Sequence, residues 1–379
     1  MNFAKTCALC GSQLSNKNRS KEHVIPNSIG GRLKTADFIC KSCNSTYGGS
    51  WDSELAKQLN WFSHALAISR ETGEPPRELV TTVEGEKYWL HADGSLYPEK
   101  SSSYSEEASA DGLRISLTAK SVEEAVQRLK GVARKHPKFD VKKAIADLEV
   151  KTEYLDSPLH FTIGFGGTEA GRSLVKTAFA FASVCGVEHK QCEQAYRYLS
   201  DATYDPPFGH AYLSDPVQDR SNKTLLHCVT LHGDPTTSRL WSYIEYFGLF
   251  RVVVLLSSKY SGPKITESHA INPIDGAIIP KKLQVKFDSS ELDEILGGKG
   301  WGREGYVAAA DYAMPKILAR NRQRGLERVI EEGFHHAAKS LGIAPDEFIP
   351  REQAELFTRL MMGKVGPYLS SLLRSPRSI

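Results

Sequence analysis

The chain has 379 residues, 40% of them hydrophobic, and a formal net charge of +3, the composition of a soluble globular protein longer than a single core usually supports. Its most apolar run, 249–256, contains Arg251 and falls far short of the roughly 20 apolar residues of a membrane helix. Residues 1–10 lack the apolar core of a signal peptide. These features argue against membrane and secreted classes and predict a cytoplasmic protein, in which paired cysteines suggest metal before disulfide.

The first 65 residues are predicted to form a small module. Two short strand-like runs, His23–Ile25 and Phe38–Ile39, lie on either side of the turn-forming pair Gly30 and Gly31. A helix is predicted next from apolar residues at helical spacing, namely Trp51, Leu55, Leu59 and Phe62.

The rest of the chain is predicted to be a larger α+β domain. Residues 66–120 are interpreted as a linker and the start of this domain, with a helix-breaking stretch at 71–76 and an exposed polar loop at 101–112. For 121–379 the patterns predict two helices within 122–149, an amphipathic helix around 174–182, strands at 225–231 and 243–256, and final helices at 315–341 and 351–373. We interpret 121–379 as a sensing, regulatory or oligomerisation domain.

A glycine-rich run, 164–172, leads from a predicted strand into the amphipathic helix. Helix N-termini attract anions, but the run lacks the ending and spacing of known phosphate-binding loops. We interpret it as a structural turn, with Arg172 and Lys176 the only features that point to a ligand.

Four of the seven cysteines form two pairs, Cys7 with Cys10 and Cys40 with Cys43. Two Cys-x-x-Cys pairs about thirty residues apart are typical of a closed tetrahedral zinc site with four thiolate ligands. Such a metal would supply much of the folding free energy of a small module. A plain zinc ribbon that only binds or braces is the alternative at this point.

The residues between and just after the two cysteine pairs, which form the two predicted zinc knuckles, indicate more than a plain zinc ribbon. The stretches 22–26 (Glu-His-Val-Ile-Pro), 30–32 (Gly-Gly-Arg) and 40–44 (Cys-Lys-Ser-Cys-Asn), taken in order, closely resemble the HNH endonuclease family, in the subgroup whose two cysteine pairs flank the ββα-metal motif. The resemblance covers about residues 5–60. It implies an α+β protein in which a small zinc-stapled ββα-metal module precedes the larger α+β domain.

The resemblance also implies the roles of individual residues. His23 occupies the position of the general base, a role for which an imidazole is suited at cellular pH. Glu22, where many members carry Asp, and Asn44 fall at the two positions that bind a catalytic Mg²⁺ or Mn²⁺ ion. The family's middle Asn has no clear counterpart, and Thr35 or Asp37 lies nearest to its position.

Other readings of these residues stay open from the sequence. His23 could instead stabilise the fold, and Asn44 could cap the helix that follows the second knuckle. Asp52, eight residues after Asn44, is a lower-ranked metal ligand whose alternative role is that of a solvated helix carboxylate.

Residues 1–60 contain eight Lys and Arg against four acids, so that most of the positive charge lies in the module. A basic patch of this kind suits a domain that contacts phosphate. The predicted phosphate contacts surround the motif and are Arg19, Lys21, Arg32, Lys34 and Lys41.

Together these features predict a metal-dependent endonuclease with DNA as substrate, RNA remaining open. By analogy with bacterial anti-phage effectors, the larger domain would gate the nuclease through a small-molecule or protein activator or through homo-oligomerisation. The alternatives are a non-catalytic zinc-ribbon nucleic-acid-binding protein and a restriction-like endonuclease specific for sequence or base modification.

Overall fold

A computed structural model describes residues 5–100, 102–109, 112–150, 152–155, 157–344 and 347–374. Its strands are β1 Glu22–His23, β2 Lys34–Thr35, β3 Glu78–Thr82, β4 Lys87–Leu90, β5 Leu96–Pro98, β6 Ser103–Ser109, β7 Gly112–Thr118, β8 Leu159–His160, β9 Phe208–His210, β10 His227–Asp234, β11 Arg239–Tyr246, β12 Phe250–Ser257 and β13 Ile265–Ile271. Its α-helices are α1 Lys41–Tyr47, α2 Ser53–Gln58, α3 Asn60–Leu66, α4 Val122–Lys135, α5 Val141–Ala146, α6 Thr168–Val184, α7 Glu193–Ser200, α8 Ser289–Glu294, α9 Arg303–Leu341 and α10 Ala354–Arg374. The predicted α+β class is confirmed.

The chain forms two compact units. The first contains residues 1–76 and 163–322, and the second contains 77–162 and 323–379. Each unit therefore draws on two separate stretches of sequence, whereas the ranges inferred from the sequence, 1–65, 66–120 and 121–379, are contiguous.

The N-terminal part of the first unit is a ββα arrangement. Strands β1 and β2 pair antiparallel, with Glu22 opposite Thr35 and His23 opposite Lys34, and α1 follows. The prediction of a second strand at Phe38–Ile39 was wrong. Both of these apolar side chains are fully buried in the core, so their hydrophobicity reflects packing rather than strand pairing.

The remainder of the first unit is built on an antiparallel sheet in the order β13-β10-β11-β12-β9. Helix α6 contacts β10, β11 and β12 as well as α2 and the turn that precedes α2. Its apolar side chains, among them Leu174 and Phe179, are fully buried. The ring of Phe179 meets that of Phe38 edge-on at 5.3 Å between centroids. One hydrophobic core therefore includes the region of the two cysteine pairs (residues 7–10 and 40–43, called the zinc-knuckle region below), α6 and the sheet.

The second unit combines an antiparallel sheet, β5-β4-β3-β8, with the hairpin β6-β7 and helices. The prediction of an exposed loop at 101–112 was wrong for the part that the structure describes, because residues 103–109 form a strand that pairs with 112–118. Residues 101, 110 and 111 lie outside the described residues. Glu106 of this hairpin accepts hydrogen bonds from Lys135 at 2.8 Å and from His136 at 3.0 Å. An exposed hairpin satisfies its backbone through cross-strand pairing and tolerates polar side chains.

The two predicted C-terminal helices are present, although the first is longer than expected and begins at Arg303. In the second unit they pack through a small core that includes Val329, Val365 and Tyr368. None of the helices in the described part of the chain is both long and apolar enough to cross a membrane.

Candidate functional site

The four N-terminal cysteines converge as the sequence predicts. The sulfur atoms of Cys7, Cys10, Cys40 and Cys43 all lie within 4.8 Å of one another. Cys40 caps the N-terminus of α1, and its backbone N–H donates to the Cys7 sulfur at 3.3 Å. Within the described residues, no other group of three or more Cys, His, Asp or Glu side chains comes close enough to hold a metal ion. The four thiol groups match the donor set that zinc prefers.

The zinc-knuckle region also fixes β1 in place. The backbone N–H of Ser20 donates to the Ile39 carbonyl at 3.1 Å, and the backbone N–H of Lys41 donates to the Asn18 carbonyl at 2.7 Å. The strand that carries Glu22 and His23 is thereby tied to the segment that carries the second cysteine pair.

The turn after β1 depends on Gly31. A Cβ atom at this position would lie 1.8 Å from the Ile25 carbonyl oxygen, a distance that no side chain can occupy. Only glycine lets the returning chain pass this close to the segment that follows His23.

His23 lies half-buried next to an acidic partner. Its Nε2 atom is 3.4 Å from the Glu71 carboxylate, which also pairs with Lys34, and Nε2 itself is buried without a hydrogen bond. Burial lowers the pKa of His23, and the positive charge of Lys34 lowers it further while Glu71 opposes the shift. The ring is therefore neutral near pH 7 and has a nitrogen able to accept a proton.

Glu22 is buried and paired with a residue far along the chain. Only 6% of Glu22 is exposed, and its Oε1 atom accepts a hydrogen bond from Lys176 Nζ at 2.6 Å. Burial, together with the nearby Asp52 charge, raises the pKa of Glu22, and Lys176 counteracts the rise. Lys176 comes from α6 and is itself 1% exposed.

Asp52 shares the same lysine. It ends a π-helical turn, Gly48–Asp52, and its carboxylate accepts a hydrogen bond from Ser173 Oγ at 2.6 Å and a second from Lys176 Nζ. Asp52 is therefore not a freely solvated carboxylate. π-Helical turns of this kind are frequent at functional sites.

Asn44 lies inside α1, whose N-cap is Cys40, so the helix-cap interpretation of Asn44 is wrong. Its Nδ2 donates to Ser20 Oγ at 2.7 Å. A Cβ atom on Gly48 would lie 3.7 Å from Asn44 Oδ1 and 4.0 Å from Asp52 Oδ2. The side-chain oxygens of Asn44 and Asp52 therefore flank the same turn.

The predicted phosphate contacts differ in their surroundings. Arg32 donates to Asn27 Oδ1 at 3.1 Å and to the Ser69 carbonyl at 2.5 Å, and Lys34 pairs with Glu71. The other three, Arg19, Lys21 and Lys41, are exposed. Thr35, one of the two candidates for the missing motif residue, is buried opposite Glu22, and the other, Asp37, pairs with Lys5.

Sequence reasoning missed the part that α6 plays at this site. The sequence marks Lys176 only as a weak sign of a ligand on a core-facing helix, gives no role to Ser173, and places Glu71 in a predicted linker. The available signal was the single Lys176 among buried apolar positions of α6, since a lysine is almost never fully buried unless it is paired.

Comparison with known proteins bears on the N-terminal module. Residues 7–60 match the family model described as HNH endonuclease. No curated protein and no solved structure gives a significant match to the chain. The match covers the four cysteines together with Glu22, His23, Asn44 and Asp52, so the N-terminal module is similar to the HNH endonuclease family.

Proposed function

We propose that this HNH endonuclease module makes the chain a divalent-metal-dependent endonuclease that hydrolyses phosphodiester bonds in DNA. The observation that carries the proposal is the neutral, half-buried His23 next to Glu22 on a ββα module whose second knuckle leads directly to Asn44. In this assignment the four cysteines hold a structural zinc ion.

The catalytic ion would be Mg²⁺ or Mn²⁺, held by oxygen atoms of Glu22, Asn44 and Asp52. The donor set fits such an ion, because hard divalent cations prefer carboxylate and amide oxygens. The position also suits a cation, since the Lys176 ammonium lies between the two carboxylates. When bound, the ion would polarise the phosphate and stabilise the leaving oxygen.

His23 would act as general base. Its Nε2 makes no hydrogen bond, and the lowered pKa keeps the ring neutral. The ring would take the proton of the attacking water at Nε2 and hold it while the phosphodiester bond breaks. Displacement of Glu71 by the substrate phosphate would free both His23 and Lys34 for this step.

The exposed side chains of Arg19, Lys21 and Lys41 would contact the phosphates on either side of the cut, with Lys34 joining them once Glu71 is displaced. Such contacts do not read bases. We propose DNA as the substrate. A cleavage assay with RNA in place of plasmid DNA would reveal an RNA substrate.

Control of the nuclease by the rest of the chain is proposed as well. An unregulated nuclease endangers its own cell, and the module shares its hydrophobic core with α6 and the five-stranded sheet. An activator, whether a small molecule or a protein, or homo-oligomerisation could change the conformation of this region. Such a change would therefore alter the positions of Glu22 and Asp52. By analogy with bacterial anti-phage effectors that join an HNH module to a sensing domain, we propose the role of a regulated cytoplasmic anti-phage effector.

The test is plasmid cleavage by the purified chain with Mg²⁺, with Mn²⁺ or without added divalent ion, comparing the native protein with His23→Ala. We expect metal-dependent cutting that falls at least about a hundredfold in the variant, while zinc content and DNA binding are retained. DNA binding by both proteins with no cutting by either, also in the presence of cell extract as a source of activator, would favour the non-catalytic zinc ribbon.

A further inference from the structure

We infer that Lys176 is the resting-state cation of the nuclease site and must leave Glu22 and Asp52 before a divalent ion can bind there. The inference rests on the proposed function, because it concerns the metal position of that site. It makes α6 the element that sets how readily the nuclease takes up its metal.

The Lys176 ammonium contacts both carboxylates of the proposed metal site, as a bound metal ion would. Its ammonium donates to Glu22 Oε1 at 2.6 Å and to Asp52, and the residue is 1% exposed. Ser173, three residues earlier on α6, donates to the other oxygen of Asp52 at 2.6 Å. Because residues three apart share one face of a helix, a single face of α6 supplies both groups.

Electrostatics makes the lysine and a metal ion alternatives. The carboxylates of buried Glu22 and partly buried Asp52 repel each other unless a cation lies between them, and the buried Lys176 ammonium is costly unless it is paired. A divalent ion would balance the same two charges. Two cations a few ångströms apart in a poorly solvated site repel strongly, so that occupancy by one excludes the other.

The lysine is held in place by the fold around it. Thr177, the next residue, makes a hydrogen bond at 3.2 Å with the hydroxyl of Tyr246 on β11, and Leu174 and Phe179 are fully buried. Withdrawal of Lys176 therefore requires either a swing of its side chain or a shift of α6 on the sheet. Metal affinity therefore depends on how α6 packs on the sheet.

The primary experiment measures Mn²⁺ affinity of the full, zinc-loaded chain by electron paramagnetic resonance of free Mn²⁺, for the native protein and Lys176→Met. We expect the variant to bind Mn²⁺ at least about tenfold tighter, because two carboxylate charges become available to the ion. Its thermal midpoint should fall without Mn²⁺ and recover with it. Lys135→Met, which removes an ion-paired lysine outside the proposed nuclease site, is the matched control and should leave both quantities near native. Equal or weaker Mn²⁺ binding by Lys176→Met would overturn the inference.

A second measurement uses the native protein and does not depend on the folding of a variant. Acetylation of lysines by a small activated ester, read residue by residue by mass spectrometry, should find Lys176 protected without Mn²⁺ and several times more reactive at saturating Mn²⁺. Mn²⁺ binding with unchanged protection of Lys176 would count against displacement.

The two proposals fail separately. Absence of DNA cleavage together with the expected Mn²⁺ results would discard the nuclease and keep the lysine as a competitor at a metal site. Cleavage that depends on Mn²⁺ and His23, with no effect of Lys176→Met on Mn²⁺ affinity, would keep the nuclease and discard the inference.

Discussion

His227 Nε2 lies 2.8 Å from the carbonyl oxygen of Ile29, so that a histidine of β10 supports the turn between β1 and β2. The backbone N–H of Phe247 donates to Nδ1 of the same ring at 2.8 Å, so that Nε2 must carry the proton and donate to Ile29. The neutral imidazole satisfies both partners, and a protonated one could not accept from Phe247.

The buried state of His227 predicts a pH dependence of stability. Burial lowers its pKa to about 4, only partly offset by the Ile29 carbonyl, whereas the unfolded chain has a value near 6.5. The folded state therefore binds fewer protons than the unfolded state between these values, so the stabilisation is present above about pH 6.5 and is lost as the pH falls toward 4. Chemical denaturation at pH 7 and pH 5 should give a smaller drop in the free energy of unfolding for His227→Gln than for the native protein.

The comparison with the variant isolates His227, because half-buried His232, whose pKa burial also lowers to about 4, titrates over the same range in both proteins. The Gln variant should also lose about 1–3 kcal/mol at pH 7 from imperfect pairing of Phe247 and Ile29. An equal pH dependence in the two proteins would refute the assignment.

The cysteine cluster predicts a specific dependence on zinc. Cys40→Ser should lose bound zinc and about 3 kcal/mol or more of unfolding free energy, because the metal joins the two knuckles that position β1 and α1. Cys185→Ser, outside the cluster, serves as control and should retain zinc. Zinc content by elemental analysis and thermal unfolding check both; full zinc in Cys40→Ser would contradict the assigned ligand set.

The features predictable from sequence were those encoded by local spacing. The cysteine pairs converge as expected because each Cys-x-x-Cys occupies one tight turn, and the ββα order follows from the short segment between them. The position of the second strand was not predictable from hydrophobicity, since Lys34–Thr35 pairs with β1 while the more apolar Phe38–Ile39 packs in the core.

Long-range partners could not be derived from one sequence. Lys176 lies 154 residues after Glu22, and nothing in the spacing of either residue indicates the other. A buried helical lysine indicates that some acidic partner exists, but its identity depends on how α6 packs on the sheet and on the turn at Gly48–Asp52. The same limit applies to Glu71, whose contact with His23 depends on the path of the chain after α3.

The exposed basic residues predict a salt-dependent affinity for DNA. Lys21→Ala and Lys41→Ala should each weaken binding regardless of sequence and lower the slope of log affinity against log salt by about one, because each lysine releases about one counterion. Lys142→Ala on α5, an equally exposed lysine of the second unit, is the matched control and should change neither. Fluorescence anisotropy with a labelled duplex at several salt concentrations measures both quantities, and an unchanged slope for Lys21 and Lys41 would remove these residues from the interface.

Gly31 should be indispensable for the shape of the site although it carries no chemistry. Gly31→Ala would place a methyl group 1.8 Å from the Ile25 carbonyl, so the segment after His23 must shift. We expect a loss of roughly 2 kcal/mol or more in stability, and cleavage reduced by more than tenfold because a base displaced by even 1 Å is poorly aligned. Gly49→Ala is the matched control, since a Cβ at that position meets no atom within 4 Å and its backbone φ is not positive. Thermal unfolding and plasmid cleavage on the same preparations distinguish the two effects: a Gly31→Ala protein with native stability and native cleavage would mean that the turn after β1 does not position His23.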